Sequence, residues 1–227
     1  MPRKDSVPNP PRRVQAPKRR ATPAGPSDPA RKRKLLLGAA AAVLVVVAIV
    51  LAVLLFGGSD KSEAAVLQEE GCTLETFPGQ EATHLDDRAT NAKPKWNSSP
   101  PTSGPHLPTP AVYGFYTEEV SLLQTVHNLE HGAIVIHLGS DVPEATIEEI
   151  RSFYMEDPNG ILVARYPELG DKVSLSAWTS REPGGRGRGY LATCTGFSER
   201  AFSRFVKEHR YKGPERFPED SLHPGNT

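Results

Sequence analysis

Residues 35–56, LLLGAAAAVLVVVAIVLAVLLF, run for 22 positions without a charge or a strongly polar side chain. Wound into an α-helix, they rise about 33 Å at roughly 1.5 Å per residue. That length matches a hydrocarbon core about 30 Å thick, with slight tilt. Inside lipid, a helix satisfies all its backbone groups within one segment. The run therefore predicts a single transmembrane helix, with the lipid bilayer as its first partner. A cleaved signal peptide fits less well, because its apolar core is about 7–15 residues after a short charged start.

Charge then predicts the orientation. Residues 1–34 carry eleven Lys and Arg against Asp5 and Asp28, a net +9; no charge follows until Asp60, and the remainder holds 16 basic and 25 acidic residues, a net −9. Arg31-Lys32-Arg33-Lys34 abuts the span and is expected to stay in the cytoplasm by the positive-inside rule. The rest of the chain is then expected outside the cell membrane. The tail 1–34 is rich in Pro, Arg and Lys, and too poor in apolar residues to offset its ordering entropy. It is expected to be disordered and to touch anionic lipid. The acidic outer portion argues against a nucleic-acid partner.

The remaining organisation reads as a linker at 57–70, a globular domain at 71–211 and a polar C-terminal tail at 212–227 that wraps the surface or frays. Ser62 is placed to cap a short helix within the linker. Residues 71–117 look irregular. From 118 onward the pattern is that of an α+β domain, a small mixed sheet with flanking helices. Glu118–Leu129 reads as a helix ended by Gly132. Ala133–Leu138 is apolar on both faces, as a central strand would be. Asp141 and Glu144 have the spacing of a capping box, and Ser198, with Phe197 and Phe202, that of a capped and stapled helix. Ile161–Tyr166 and Val173–Trp178 read as strands. Gly184–Gly189 is too irregular for a nucleotide fingerprint and reads as a mobile loop.

All seven histidines follow the span. His127 and His131 stand four apart with Glu130 between them. On a helix they share a face and can share a metal ion. On a strand they would sit about 13 Å apart, too far for one ion. The segment PPTSGPHLPTP at 100–110 is stiffened by its prolines and can hold His106 in one place. His137 and His209 read as packing residues, and His223 has no assigned role.

PPTSGPH at 100–106 and HNLEHG at 127–132, with the single preceding helix, a cysteine on its outer side and Ala177-Trp178, resemble a bacterial membrane family known as domain of unknown function 3105. The resemblance covers about residues 71–215. It implies no activity, but it draws attention to His84, His106, His127, Glu130 and His131.

These readings predict a metal site formed by His84, His106, His127 and His131, with Glu130 nearby. Cys72 and Cys194 are the only cysteines, both on the expected oxidising side, and are expected to pair as a disulfide. The only methionines are Met1 and Met155, so there is no soft sulfur cluster for Cu(I). Imidazoles with a carboxylate suit Zn(II) or Cu(II). The leading expectation is thus a membrane-anchored extracytoplasmic metal-binding protein. Two alternatives stand beside it. His127-x-x-Glu130-His131 also matches the inverted zinc-peptidase motif, with Glu130 as general base, although Gly132 and a strand follow where a peptidase helix would continue. A non-catalytic cell-envelope interaction module needs the histidines only as structural residues. Ser103 near His106 lacks the G-x-S-x-G elbow of a hydrolase.

Overall fold

The computed structural model describes residues 61–227. The basic tail, the apolar span and the start of the linker lie outside the described residues. Among the described residues, no helix is long and apolar enough to cross a membrane.

The described chain is a mixed α+β domain. Its elements are α1 (Glu63–Glu69), β1 (Cys72–Pro78), β2 (Phe115–Glu119), α2 (Leu122–Glu130), β3 (Ile134–Leu138), α3 (Glu144–Glu156), β4 (Ile161–Arg165), β5 (Val173–Thr179), β6 (Arg188–Cys194) and α4 (Glu199–His209). The six strands form one sheet in the order β1-β6-β5-β3-β4-β2. The β3–β4 and β4–β2 pairs are parallel, whereas β1–β6, β6–β5 and β5–β3 are antiparallel.

Strand β3 is buried at every position, as its two-sided apolar pattern predicts for a central strand. Alternation sends Ile134, Ile136 and Leu138 to one face, where Ile147, Ile150, Phe202 and Phe205 from α3 and α4 complete the larger core. Val135 faces the other way, with Leu162, Ala164 and Trp178, beneath Val126 and Leu129 of α2. Helix α2 and the proline-rich loop thus cover the face opposite α3 and α4.

Local signals account for some helix ends. Ser62 caps α1 by accepting from the Ala65 N–H, and Ser198 caps α4 through Ala201 N–H. The Phe197 and Phe202 rings meet at 4.9 Å, as the staple spacing predicts. The expected capping box at Asp141 does not form. Helix α3 starts after Pro143, without a side-chain cap, because the Asp141 N–H is drawn to the Gly170 carbonyl in a turn against β5. Helix α2 begins at Leu122 rather than Glu118, since Glu118 and Glu119 belong to edge strand β2.

Besides β2, two further strands arise where the sequence pattern suggested none. β1 crosses the stretch that looked irregular, and β6 emerges directly from the glycine-rich loop; they pair along their whole lengths from Cys72↔Cys194 to Pro78↔Arg188. At the first of these pairs Cys72 and Cys194 form a disulfide, with Cα atoms 4.0 Å apart. The expected linker also contributes to the fold. Val66 and Leu67 of α1 are buried, and Glu63 holds His209 of α4 at 2.8 Å. His209 therefore ties two helices together.

The C-terminal tail wraps the domain instead of fraying. Glu215 N–H donates to the Glu130 carbonyl and Gly225 N–H to the Tyr113 carbonyl, while the Pro214 carbonyl accepts from Gly184 N–H. This strap passes beside the C-terminal end of α2.

Candidate metal centre

The loop 98–111 is the platform on which the histidines gather. Gly104 has φ +120°, and a Cβ there would come within 2.9 Å of both Trp96 and Gln80, so only glycine fits. Thr102 is buried against Gly189 of β6, where a Cβ would reach 2.1 Å from the threonine hydroxyl. Trp96 closes the turn by donating from Nε1 to the Pro105 carbonyl at 3.1 Å. Pro100 to Gly104 are consequently buried although they form no helix or strand. Ser103 is fully buried and accepts from the Gln80 N–H.

Backbone pairing delivers the first two imidazoles. His106 N–H donates to the Thr83 carbonyl, and Leu85 N–H to the His106 carbonyl. These bonds set His84 beside His106 as an isolated parallel bridge. Leu107 N–H then donates to the Leu123 carbonyl, locking the loop to α2. Within α2, the i, i+3, i+4 spacing puts His127, Glu130 and His131 on one side. Asn128 points elsewhere. Its amide pairs in both directions with the backbone of Ala111, at 3.0 and 2.8 Å, and so pins the far end of the loop. Gly132, at φ +89°, ends α2 and leaves room for Gly213 of the strap.

One ligand atom from each of His84, His106, His127 and Glu130 lies within 4.8 Å of the others. His106 Nε2 is 2.9 Å and His84 Nε2 is 3.6 Å from Glu130 Oε2. Ligands of a tetrahedral zinc ion, each about 2.0–2.1 Å from it, stand about 3.3 Å apart. His106 Nδ1 is 2.7 Å from the Gly104 carbonyl and His127 Nδ1 is 2.8 Å from the Leu107 carbonyl. A carbonyl only accepts, so both Nδ1 atoms carry hydrogen. In each neutral ring, Nε2 then carries the lone pair in a fixed orientation, and that of His127 accepts from His131 Nε2 at 2.9 Å.

His106 Nε2 and Glu130 Oε2 are both buried and make no well-directed hydrogen bond, despite their 2.9 Å approach. A bare nitrogen lone pair facing a carboxylate is repulsive unless a proton or a metal ion stands between them. Buried polar atoms left in this state are costly, and a shared divalent cation removes the cost. Burial acts to raise the Glu130 carboxyl. The contact with His106 and the charge of the surrounding imidazoles outweigh it and hold the carboxyl below its ordinary value. Burial lowers His127, and the Leu107 carbonyl only partly offsets this. These shifts favour neutral His127 and anionic Glu130, the forms that bind metal.

His131, expected as one of the four ligands, lies just beyond this set, while Glu130 completes it. His131 Nε2 is 2.9 Å from His127 Nε2 and 3.3 Å from Glu215 Oε2. Burial, with His127 adding to it, pushes His131 down to about 4. Glu215 has no local sequence signal; the strap carries it there. Phe217 of the same strap lies on the His131 ring at 4.0 Å. His137 sits on β3, fully buried and pushed down to about 4 by burial alone. It stands opposite Ser174 of β5 and away from the cluster. His223 lies in the strap and bonds to the Pro224 carbonyl.

A family described as protein of unknown function (DUF3105) matches residues 88–221 of this chain. No curated protein and no solved structure matches it.

Proposed function

We propose that this chain, which belongs to the DUF3105 family, holds a single divalent transition-metal ion through His84, His106, His127 and Glu130. The observation that carries this reading is the meeting of four ligand atoms within 4.8 Å, two of them on imidazoles whose Nδ1–H groups are already committed to backbone carbonyls. Such carbonyl partners fix the tautomer and the ring direction that a metal requires.

Three nitrogens and one carboxylate oxygen suit Zn(II) or Cu(II). Both cysteines are in the disulfide and Met155 is exposed on α3, so neither supplies sulfur to a soft ion. The apolar span and the basic residues before it support a membrane anchor with this domain outside the cell. The disulfide suits the same oxidising compartment. The role is accordingly capture, storage or delivery of the ion at the outer membrane surface.

Glu130 lies at ligand distance among the imidazoles, which favours coordination over service as a free general base. Elemental analysis of the purified full chain, followed by titration with Zn(II) and Cu(II), tests the reading. One ion per chain is expected, and much weaker binding in Glu130→Gln. A full chain that binds neither metal refutes it.

A further inference from the structure

A second, overlapping set of ligands adjoins the first. Single ligand atoms of His127, His131 and Glu215 also lie within 4.8 Å of one another. We propose that these three residues form an outer position for the same ion, and that the ion passes between the two positions by exchanging ligands around His127. This inference rests on the inner site proposed above.

His127 belongs to both sets, and its chemistry makes them alternatives. The Nδ1–H of its ring is committed to the Leu107 carbonyl, so only Nε2 can bind metal. One lone pair serves one ion, so two ions cannot occupy both sets through His127. The neighbours of His127 on α2 divide between them. Glu130, at i+3, turns towards His84 and His106; His131, at i+4, turns towards the strap.

The strap is fastened to α2 at Glu130. Glu215 N–H donates to the carbonyl of Glu130, so the outer carboxylate is held by the backbone of the inner one. Arg216 anchors the same turn to the carbonyls of Tyr211 and Ser180.

Coordination chemistry ranks the two positions. The inner set offers three imidazoles and one carboxylate, the outer set two imidazoles and one carboxylate. The inner position therefore binds more tightly. The outer one leaves a coordination position for a further donor, such as a group on the molecule that delivers or removes the ion. Each set contributes one negative charge, so the ligand charge around a divalent ion is the same in both. Movement between them exchanges His84, His106 and Glu130 for His131 and Glu215. Both sets reach solvent, the inner through His84 and the outer through Glu215, whose side chains are 49% and 50% exposed. His131 Nδ1 is buried without a protein partner, and Nε2 is the atom that faces His127 and Glu215, so the ring is aimed at the shared position.

The test is a Zn(II) titration of the full chain against a chromophoric chelator, with far-UV circular dichroism to confirm folding. His84 is half exposed, and Glu→Gln keeps side-chain shape, so the variants leave the apolar packing alone. Wild type should bind one ion. His84→Ala with Glu130→Gln should lower the affinity about a hundred-fold or more yet retain one weakly held ion. Adding Glu215→Gln to that pair should lower it at least a further ten-fold, a loss much larger than Glu215→Gln causes alone. Glu215→Gln having equal effects in the two backgrounds, or none in either, overturns the outer position while the inner site stands. Two ions in wild type overturn the exchange around His127. A wild-type chain that binds no Zn(II) overturns the inner site, and the outer proposal with it.

Discussion

His106 Nε2 lies 2.9 Å from Glu130 Oε2, while the opposite nitrogen of the same ring is held by the Gly104 carbonyl. The imidazole cannot turn away without losing that bond, and the carboxylate is fixed by its place on α2. Replacing His106 by Gln, or Glu130 by Gln, should reduce Zn(II) affinity by at least about a hundred-fold, more than the loss typical of outer-shell changes. Isothermal titration checks this. Retained wild-type affinity in Glu130→Gln would remove the carboxylate from the ligand set.

Gly104→Ala should act at a distance on the same site. The new Cβ meets Trp96 and Gln80 at 2.9 Å, at a backbone angle that L residues rarely adopt. A loss of about 1–3 kcal/mol is expected from such a strained position. Metal affinity should fall too, because the Gly104 carbonyl orients His106. Urea melts of the metal-free chain and a Zn(II) titration separate the two effects.

Loss of the disulfide should be felt by the whole domain. Cys72 and Cys194 are 122 residues apart, and closing so long a loop stabilises a fold by about 4–5 kcal/mol in the chain-entropy model. Denaturant midpoints for wild type and for Cys72→Ser with Cys194→Ser should differ accordingly. Coincident midpoints would show that the bridge contributes nothing to stability.

The metal-free domain should weaken in mild acid. His131 and His137 titrate near 4 when folded, against about 6.5 when unfolded. Above pH 6.5 both rings are neutral in either state. As pH falls from 6.5 towards 4, the unfolded chain binds protons that the folded chain refuses, so stability declines. His137→Leu removes one of these two groups from a position remote from the metal ligands. Its loss of stability between pH 7 and pH 5 should be smaller than that of wild type by about 2 kcal/mol. Parallel pH profiles for the two proteins would exclude His137 as a source of the effect.

Orientation in the membrane is independently testable. A reporter fused after Thr227 should be active only outside the cytoplasm, given the basic cluster Arg31–Lys34 ahead of the span. Activity confined to the cytoplasm would reverse the topology.

Strands β3, β4 and β5 and helices α3 and α4 could be read from local apolar periodicity, because each is packed on at least one continuous apolar face. β1 could not. As an edge strand it buries only Cys72 fully and leaves most other side chains at least partly exposed, so its pattern resembles a loop. β6 begins within a glycine-rich stretch, where Gly189 is required by Thr102 and not by a turn. β1 is defined by β6, more than 100 residues away. The site divides in the same way. The helical spacing of His127, Glu130 and His131 is local and was visible. Which of Glu130 and His131 faces His84 and His106 depends on how α2 is rotated against the loop, and residue spacing does not encode that rotation. The role of Asn128 was hidden for a related reason: its partner is the backbone of Ala111, which has no side-chain signature. Glu215 reaches His131 only because of the strap's backbone bonds.

The bridge between Cys72 and Cys194 also decides how the domain carries mechanical load. Chain arriving from ahead of α1 enters the sheet at Cys72, the first residue of β1. Without a covalent link, a pull from that side would open the edge strand one hydrogen-bonded pair at a time. With it, tension crosses at the first pair into β6, an interior strand held by β1 on one side and β5 on the other. Residues 73–78 then lie outside the line of force. Traction from ahead of α1 can unseat that helix, but at Cys72 it passes to an interior strand and bypasses the loop carrying His84 and His106.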